Sequence, residues 1–296
     1  MPQILLITGG TGNLGSHLVR LALKAEKWDE VHATYHMLNP NFHKIFWHFL
    51  DARNSILPAL NRIKPTCIIH TMALSSPDEC EKRKLDAWQI NVKTTGEIIS
   101  YANSNTVRLI YTSTDLVFDG EKGNYSEADK ACPVNFYGDT KLEVENEMLE
   151  ILSTGNYVIA RLGLLYGFNL NQRLNFFDTI YNGLRNQTEI RLFEDQYRSF
   201  MNLSNAAACL MELASINYHG MIHLAGPERL SRFEFGLRLA HHLKLSDATI
   251  IKSKMEDVPS LSRRPKDVSF NIDLARKTLK TTIQAVDEGI RSMFSL

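Results

Sequence analysis

The sequence predicts an α/β protein: a Rossmann-type, doubly wound parallel sheet with a smaller C-terminal substrate lobe. Three observations carry that expectation. Short, continuously apolar runs alternate with helical patterns through the first half of the 296 residues, as strands covered on both faces by helices require. The first run passes directly into glycines and then a helix. After about residue 165 the alternation breaks, which marks a second lobe and places the boundary between residues 1–165 and 166–296.

The elements follow in order. Gln3–Thr8 reads as a compact apolar strand, and Asn13–Ala25 as a helix with Leu14, Leu18, Leu21 and Ala25 on one face. Further strands are expected at Glu30–Tyr35, Ile45–Phe49, Thr66–Thr71, Val107–Ser113 and Tyr157–Leu162. Helices are expected at Ile56–Ile63, Asp78–Asn103 and Asn135–Leu152. Parallel neighbours need a crossover helix, so this order implies a parallel sheet. In the second lobe, Arg173–Arg185 reads as a helix, Glu189–Phe193 and Phe200–Leu203 as short strands, and Ser204–Ile216 as a helix capped by Ser204. A strand at Met221–Ala225 and helices at Arg232–Leu243 and Leu274–Leu279 complete the set, with strands shared between the lobes.

Composition narrows the function classes. Lys plus Arg (33) equals Asp plus Glu (33), which excludes a nucleic-acid binder relying on bulk charge. Cys67, Cys80, Cys132 and Cys209 stand far apart without C-x-x-C spacing, the pattern of reduced thiols rather than a disulfide framework or zinc site. No apolar stretch approaches the roughly 18 residues of a membrane span. The start, Met1-Pro2-Gln3-Ile4, lacks the basic region of a signal peptide, so a cytoplasmic location is expected. His32, His36, His43 and His48 invite a metal reading, but residues four apart on a strand lie too far apart for one ion.

The stretch Thr8-Gly9-Gly10-Thr11-Gly12-Asn13-Leu14-Gly15 carries G-x-x-G-x-x-G between strand and helix. Glycines allow a sharp turn and close approach of a pyrophosphate, and the helix start offers free N–H groups and a positive dipole end. An acid ending the second strand would bind the adenosine ribose and favour NAD. That strand instead ends Tyr35-His36, with His43 and Lys44 beyond, so NADP is favoured and NAD remains possible. Asp51 is placed to face the adenine. Gly9, Thr11, Gly12, Asn13, Leu14, Gly15, Tyr35, His36, Asp51, Ala52, Met72 and Ala73, with Tyr137 and Lys141, form the candidate cofactor set.

A Y-x-x-x-K pair, Tyr137 and Lys141, opens a helix, where residues i and i+4 share a face. An ammonium beside a phenol favours phenolate and draws its pKa down from about 10, as a tyrosine acid/base requires. Thr114, at the end of a buried strand, supplies a hydroxyl for a substrate carbonyl.

Gly9–Gly15, Tyr137/Lys141 and Thr114 together resemble the extended short-chain dehydrogenase/reductase superfamily. Ser113-Thr114-Asp115-Leu116-Val117-Phe118-Asp119-Gly120, continuing through Tyr125, Glu127, Pro133, Asn135 and Tyr137-Gly138, resembles its dTDP-4-dehydrorhamnose reductase branch, as does Arg264-Pro265. The resemblance implies reduction of a nucleotide-linked 4-keto deoxysugar, with Thr114, Tyr137 and Lys141 catalytic, a nucleotide sugar as the small-molecule partner, and a homodimer as a possible assembly. Neither nucleic acid nor a membrane is an expected partner. Two positions depart from that branch: Leu116 stands where a tyrosine is usual, and Leu164 where a tryptophan is usual. The non-catalytic regulatory beta subunit of methionine adenosyltransferase is similar to the chain through Arg161–Gly167. A regulatory subunit and a nucleotide-sugar epimerase therefore stand as alternatives. Dehydration is disfavoured, because Asp115 is followed by Leu116 rather than Glu.

Overall fold

The computed structural model describes residues 2–37, 40, 44–151, 155–169, 174–258 and 262–294. The chain opens with β1 (Ile4–Thr8), every residue of it buried, and passes through the glycine turn into α1 (Asn13–Ala22). β2 (Glu30–Tyr35), β3 (Phe46–Phe49), α2 (Leu57–Ile63) and β4 (Cys67–His70) follow.

The single helix expected over residues 78–103 is instead broken. It consists of α3 (Pro77–Lys82), α4 (Lys84–Trp88), a π-helical turn at Gln89–Lys93 and α5 (Thr94–Asn105). Arg83 leaves helical dihedrals at φ −128°, ψ 52°. Within the π turn the buried Asn91 spends its amide on the Leu74 backbone and the Thr140 hydroxyl. Side-chain claims of this kind distort a helix from outside its own sequence.

β5 (Arg108–Thr114) runs into a 3₁₀ turn at Asp115–Val117, and α6 (Phe136–Ile151) precedes β6 (Tyr157–Leu162). The remaining elements are β7 (Leu164–Tyr166), α7 (Phe176–Asn186), β8 (Ile190–Phe193), β9 (Tyr197–Asn202), α8 (Leu203–Leu213), β10 (Gly220–Leu224), β11 (Arg229–Ser231), α9 (Arg232–Leu243), β12 (Ile250–Ser253), α10 (Asp273–Thr278) and α11 (Val286–Phe294). Leu152 and Arg173, the ends of two expected helices, lie outside the described residues.

Two expectations are corrected in this half. The strand expected from Phe200 begins earlier, at Tyr197, and ends at Asn202. Ser204 is not the cap of α8. Asn202, held in extended backbone, accepts hydrogen bonds from the Ser204 and Asn205 amides with its side chain, because a short polar acceptor fits one position before the first helical turn.

Seven parallel strands form the central sheet in the order β10-β6-β5-β4-β1-β2-β3. The chain reverses direction across the sheet between β1 and β4, and that crevice is where such folds present ligands. One face packs α1 and α8 over a core that includes Leu5, Leu18 and Leu210, and the other packs α2, α5 and α6 around Leu6, Ile68 and Met148. β10 joins the sheet beside β6 from within the second half of the sequence. The remaining strands pair as β11-β9-β7 and β12-β8. With α7, α9 and α11 they enclose a separate core around Tyr166, Phe177, Phe200 and Phe235.

Cys67, Cys80 and Cys209 are buried, and Cys132 is exposed. His32 bonds Glu30 and stacks on His48. Among the described residues, no group of three His, Cys, Asp or Glu side chains is gathered as a metal site. None of the described helices is long and apolar enough to cross a membrane.

Candidate active site

The C-terminal ends of the parallel strands bring the sequence-selected residues to one edge of the sheet. Gly9–Gly15 occupy the β1–α1 turn, Tyr35 and His36 end β2, Asp51 and Ala52 follow β3, Met72 and Ala73 follow β4, and Thr114 ends β5. Tyr137 and Lys141 sit in the first turns of α6.

The glycine turn is built for a close ligand. Gly9 lies at φ +70°, and a Cβ there would stand 3.0 Å from the Met72 backbone. A Cβ on Gly15 would come 2.1 Å from the Gly9 carbonyl oxygen, so only glycine lets α1 start so near β1. Gly12 caps α1 without a side-chain hydrogen bond, and no acidic residue occupies the first turn. Exposed N–H groups at an uncapped helix start, reached through a glycine turn, fit a pyrophosphate.

At the adenosine end, Tyr35 lies edge-on to Phe49, and His36 is tilted against the same ring. Asp51 lies 4.0 Å from His36. Arg53 clamps the Asp51 carboxylate through its backbone and guanidinium N–H groups, which hold that carboxyl well below the usual range. Asp51 is therefore a bound carboxylate at this edge, and Lys44 adopts a positive φ of 76°. His43 lies outside the described residues.

Local sequence explains how the catalytic candidates meet. Asn135 caps α6 by accepting the Gly138 amide at 2.9 Å, and Glu81 accepts the Phe136 amide. A Cβ on Gly138 would lie 2.2 Å from the Leu116 carbonyl oxygen. Glycine at this position thus lets the Asp115–Val117 turn press against α6, setting Thr114 beside Tyr137. The Thr114 hydroxyl donates to Asp115 and accepts the Leu116 amide.

The electrostatics depart from the sequence expectation. Burial raises the Tyr137 phenol above its ordinary value, and the charges of Cys80 and Asp115 reinforce that, against the Thr114 hydroxyl and Arg198. Burial also lowers the Lys141 ammonium to about 7, opposed by Glu145 and Cys80. Lys141 Nζ stands over the Tyr111 ring, 4.2 Å from its centre. The expected depression of the phenol by its neighbouring lysine is therefore not what this arrangement produces: both groups are dehydrated, and dehydration favours their neutral forms.

Thr114 and Tyr137 open onto a cleft of about 470 Å³, which Asn13 of the glycine turn also lines. Leu116 and Leu164 form part of its wall. The same cleft is lined by Arg264, singled out in the sequence with Pro265, and by three polar residues that sequence reading passed over: Gln196, Arg198 and Arg232. Arg198 grips Asp115 with two guanidinium hydrogen bonds, both side chains being buried. Arg264 pairs with Asp78 at 3.0 Å. An arginine within an apolar stretch, as in Tyr197-Arg198-Ser199-Phe200, is the sequence signal that marks such a position.

The family model for the RmlD substrate binding domain matches residues 3–296. The chain is 26% identical over 294 residues to a probable low-salt glycan biosynthesis reductase of Haloferax volcanii, covering 95% of this chain and 96% of that one. It is 26% identical over 273 residues to the methionine adenosyltransferase 2 subunit beta of Pongo abelii, covering 90% and 79%. Among solved structures, dTDP-4-dehydrorhamnose reductase of Bacillus anthracis, crystallised with NADP, superposes with a TM-score of 0.84 at 25% identity over 99% of each chain. With nearly its full length matched and its fold shared with such a reductase, the chain belongs to the RmlD substrate-binding domain family.

Proposed function

We propose that this protein is an NAD(P)H-dependent reductase acting on the ketone of a nucleotide-linked 4-keto deoxysugar, in the manner of the dTDP-4-dehydrorhamnose reductases. The observation that carries the reading is the meeting of Thr114 and Tyr137 in one cleft with Asn13 of the uncapped glycine turn. Reductases among the relatives support it. In this reading residues 1–165 hold the dinucleotide and 166–296 close the substrate side.

A bound reduced nicotinamide would supply hydride to the carbonyl carbon. The protein's own groups do the rest. Thr114 donates a hydrogen bond to the carbonyl oxygen and fixes its direction. Tyr137 delivers its phenolic proton to that oxygen as negative charge develops there. A phenol kept protonated by burial is a competent donor in this direction. Lys141 holds the cofactor ribose beside Tyr137 and, when protonated, stabilises the phenolate left behind. The clamped Asp51, with Tyr35, His36, Ala52, Met72 and Ala73, borders the adenosine end, where NADP is the favoured form and NAD the alternative.

A regulatory reading has its own observation. Leu116 and Leu164 put aliphatic walls where the reductases carry aromatic ones, and the beta subunits of methionine adenosyltransferase are among the relatives. The deciding experiment offers NADPH and NADH with a panel of nucleotide-sugar ketones. Consumption of reduced cofactor matched to product supports the reductase. Binding of cofactor with no turnover on any ketone supports the regulatory subunit, and epimerised product without net consumption supports an epimerase.

A further inference from the structure

The three arginines of the cleft are not equivalent. Arg198 is neutralised by Asp115, and Arg264 by Asp78. Arg232, the first residue of α9, has no ion-pair partner among the described residues, and its Nε is buried without a hydrogen-bond acceptor. Its guanidinium instead stacks on Phe176, 4.7 Å from the ring centre. Two further polar atoms of the same cleft are buried and unpartnered: Nε of Arg264 and the amide oxygen of Gln196, a residue only 1% exposed.

Buried donors without acceptors cost stability, and native proteins retain few of them. Here three orphaned polar groups, from the segment before β9, from α9 and from the loop before α10, line the same cleft. We propose that Arg232, with Arg264 and Gln196, forms an anion-binding subsite that recognises a phosphate or carboxylate group of the substrate, and that Arg232 is its specificity-determining residue. The identity of the ligand rests on the nucleotide-sugar reading; the charge of the subsite does not.

The geometry gives the residues separate tasks. Arg232 supplies the uncompensated charge, and the face of Phe176 restricts the tilt of its planar guanidinium, so its fork is held before the ligand arrives. Arg264 brings one directed N–H while its charge stays with Asp78. The Gln196 amide presents its NH2 group to an anion on rotation about its last bond. Burial and the nearby charges of Arg198 and Arg264 lower the Arg232 guanidinium to about 9, against the attraction of Asp115. A cation so crowded by like charge is relieved by an incoming anion.

The test uses the full-length protein, with titration calorimetry of thymidine diphosphate, thymidine and glucuronic acid against wild type, R232Q and R232K, and thermal unfolding of each. Binding of thymidine diphosphate but not thymidine, weakened about ten- to a hundredfold in R232Q and less in R232K, supports the subsite with phosphate as its anion. The same loss for glucuronic acid supports it with a carboxylate. R232Q should melt no lower than wild type, because it removes a cation that lacks a protein partner. Unchanged affinity in R232Q, absence of any anion binding to wild type, or a sharp fall in melting temperature would each overturn the proposal. Failure of the reductase reading would show separately, as absent cofactor oxidation, which none of these measurements reads.

Discussion

Arg198 on β9 and Asp115, the residue after β5, 83 positions apart in sequence, form a buried two-pronged ion pair next to Thr114. The pair joins the three-stranded sheet, through β9, to the end of the central sheet at the candidate site. It also spaces Thr114, whose hydroxyl donates to the same Asp115 carboxylate.

Breaking one side of that pair leaves a buried charge without its partner. R198M should therefore lower the unfolding free energy by roughly 3–5 kcal/mol in urea titrations. D115N combined with R198M should recover a large part of that loss, because the stranded carboxylate is gone. A loss of about 0.5 kcal/mol or less in the single variant would show that the pair carries little of the fold.

Gly138 tests how the site is assembled. In G138A the new Cβ would lie 2.2 Å from the Leu116 carbonyl oxygen, so the Asp115–Val117 turn must retreat from α6. Turnover should fall by about a hundredfold, since displacement of around 1 Å at a reacting group has that effect. Dinucleotide affinity should stay within about twofold, because the glycine turn lies elsewhere. Equal losses of turnover and cofactor affinity would contradict this separation.

Stability should depend on pH through groups that the fold buries in their neutral forms. His70 and His223 are each lowered to about 3 by burial, with Lys141 lowering the first and Arg161 the second. Between that value and the ordinary 6.5, the unfolded chain binds more protons than the folded one, so stability falls as pH drops through this window. Lys141, lowered to about 7, acts in the same direction at higher pH: stability rises from about 7 towards its ordinary value of 10.5. Urea titrations of wild type and H223Q across pH 4–7 check the first part, and H223Q should show the shallower slope. Identical slopes would remove His223 from the account.

Much of the fold was legible because local and global signals agree. β1 is continuously apolar, its glycines fall where the turn needs them, and α1 carries a clear apolar face, so no tertiary fact was required. The Tyr137/Lys141 spacing was equally local. What sequence could not show came from partners distant in the chain. Arg198 is a charge inside β9 that only its distant partner Asp115 makes tolerable, so the strand begins at Tyr197 rather than at the expected Phe200. The π turn at Gln89–Lys93 depends on Asn91 reaching Leu74 and Thr140, and the α8 cap is set by Asn202 holding extended backbone rather than by Ser204. Proximity of Lys141 to Tyr137 could be counted along a helix, but the burial that raises one pKa and lowers the other belongs to the packed molecule.

The most direct measurement is oxidation of NADPH and NADH, followed by absorbance, by wild type and Y137F on a panel of nucleotide-linked 4-keto sugars. The account predicts that wild type consumes reduced cofactor in step with product on at least one ketone. It predicts a fall of about 10²–10⁴-fold in Y137F with dinucleotide binding retained. Undiminished turnover in Y137F, or cofactor binding without turnover on any ketone by a wild-type chain that co-purifies with a stoichiometric partner, would contradict it.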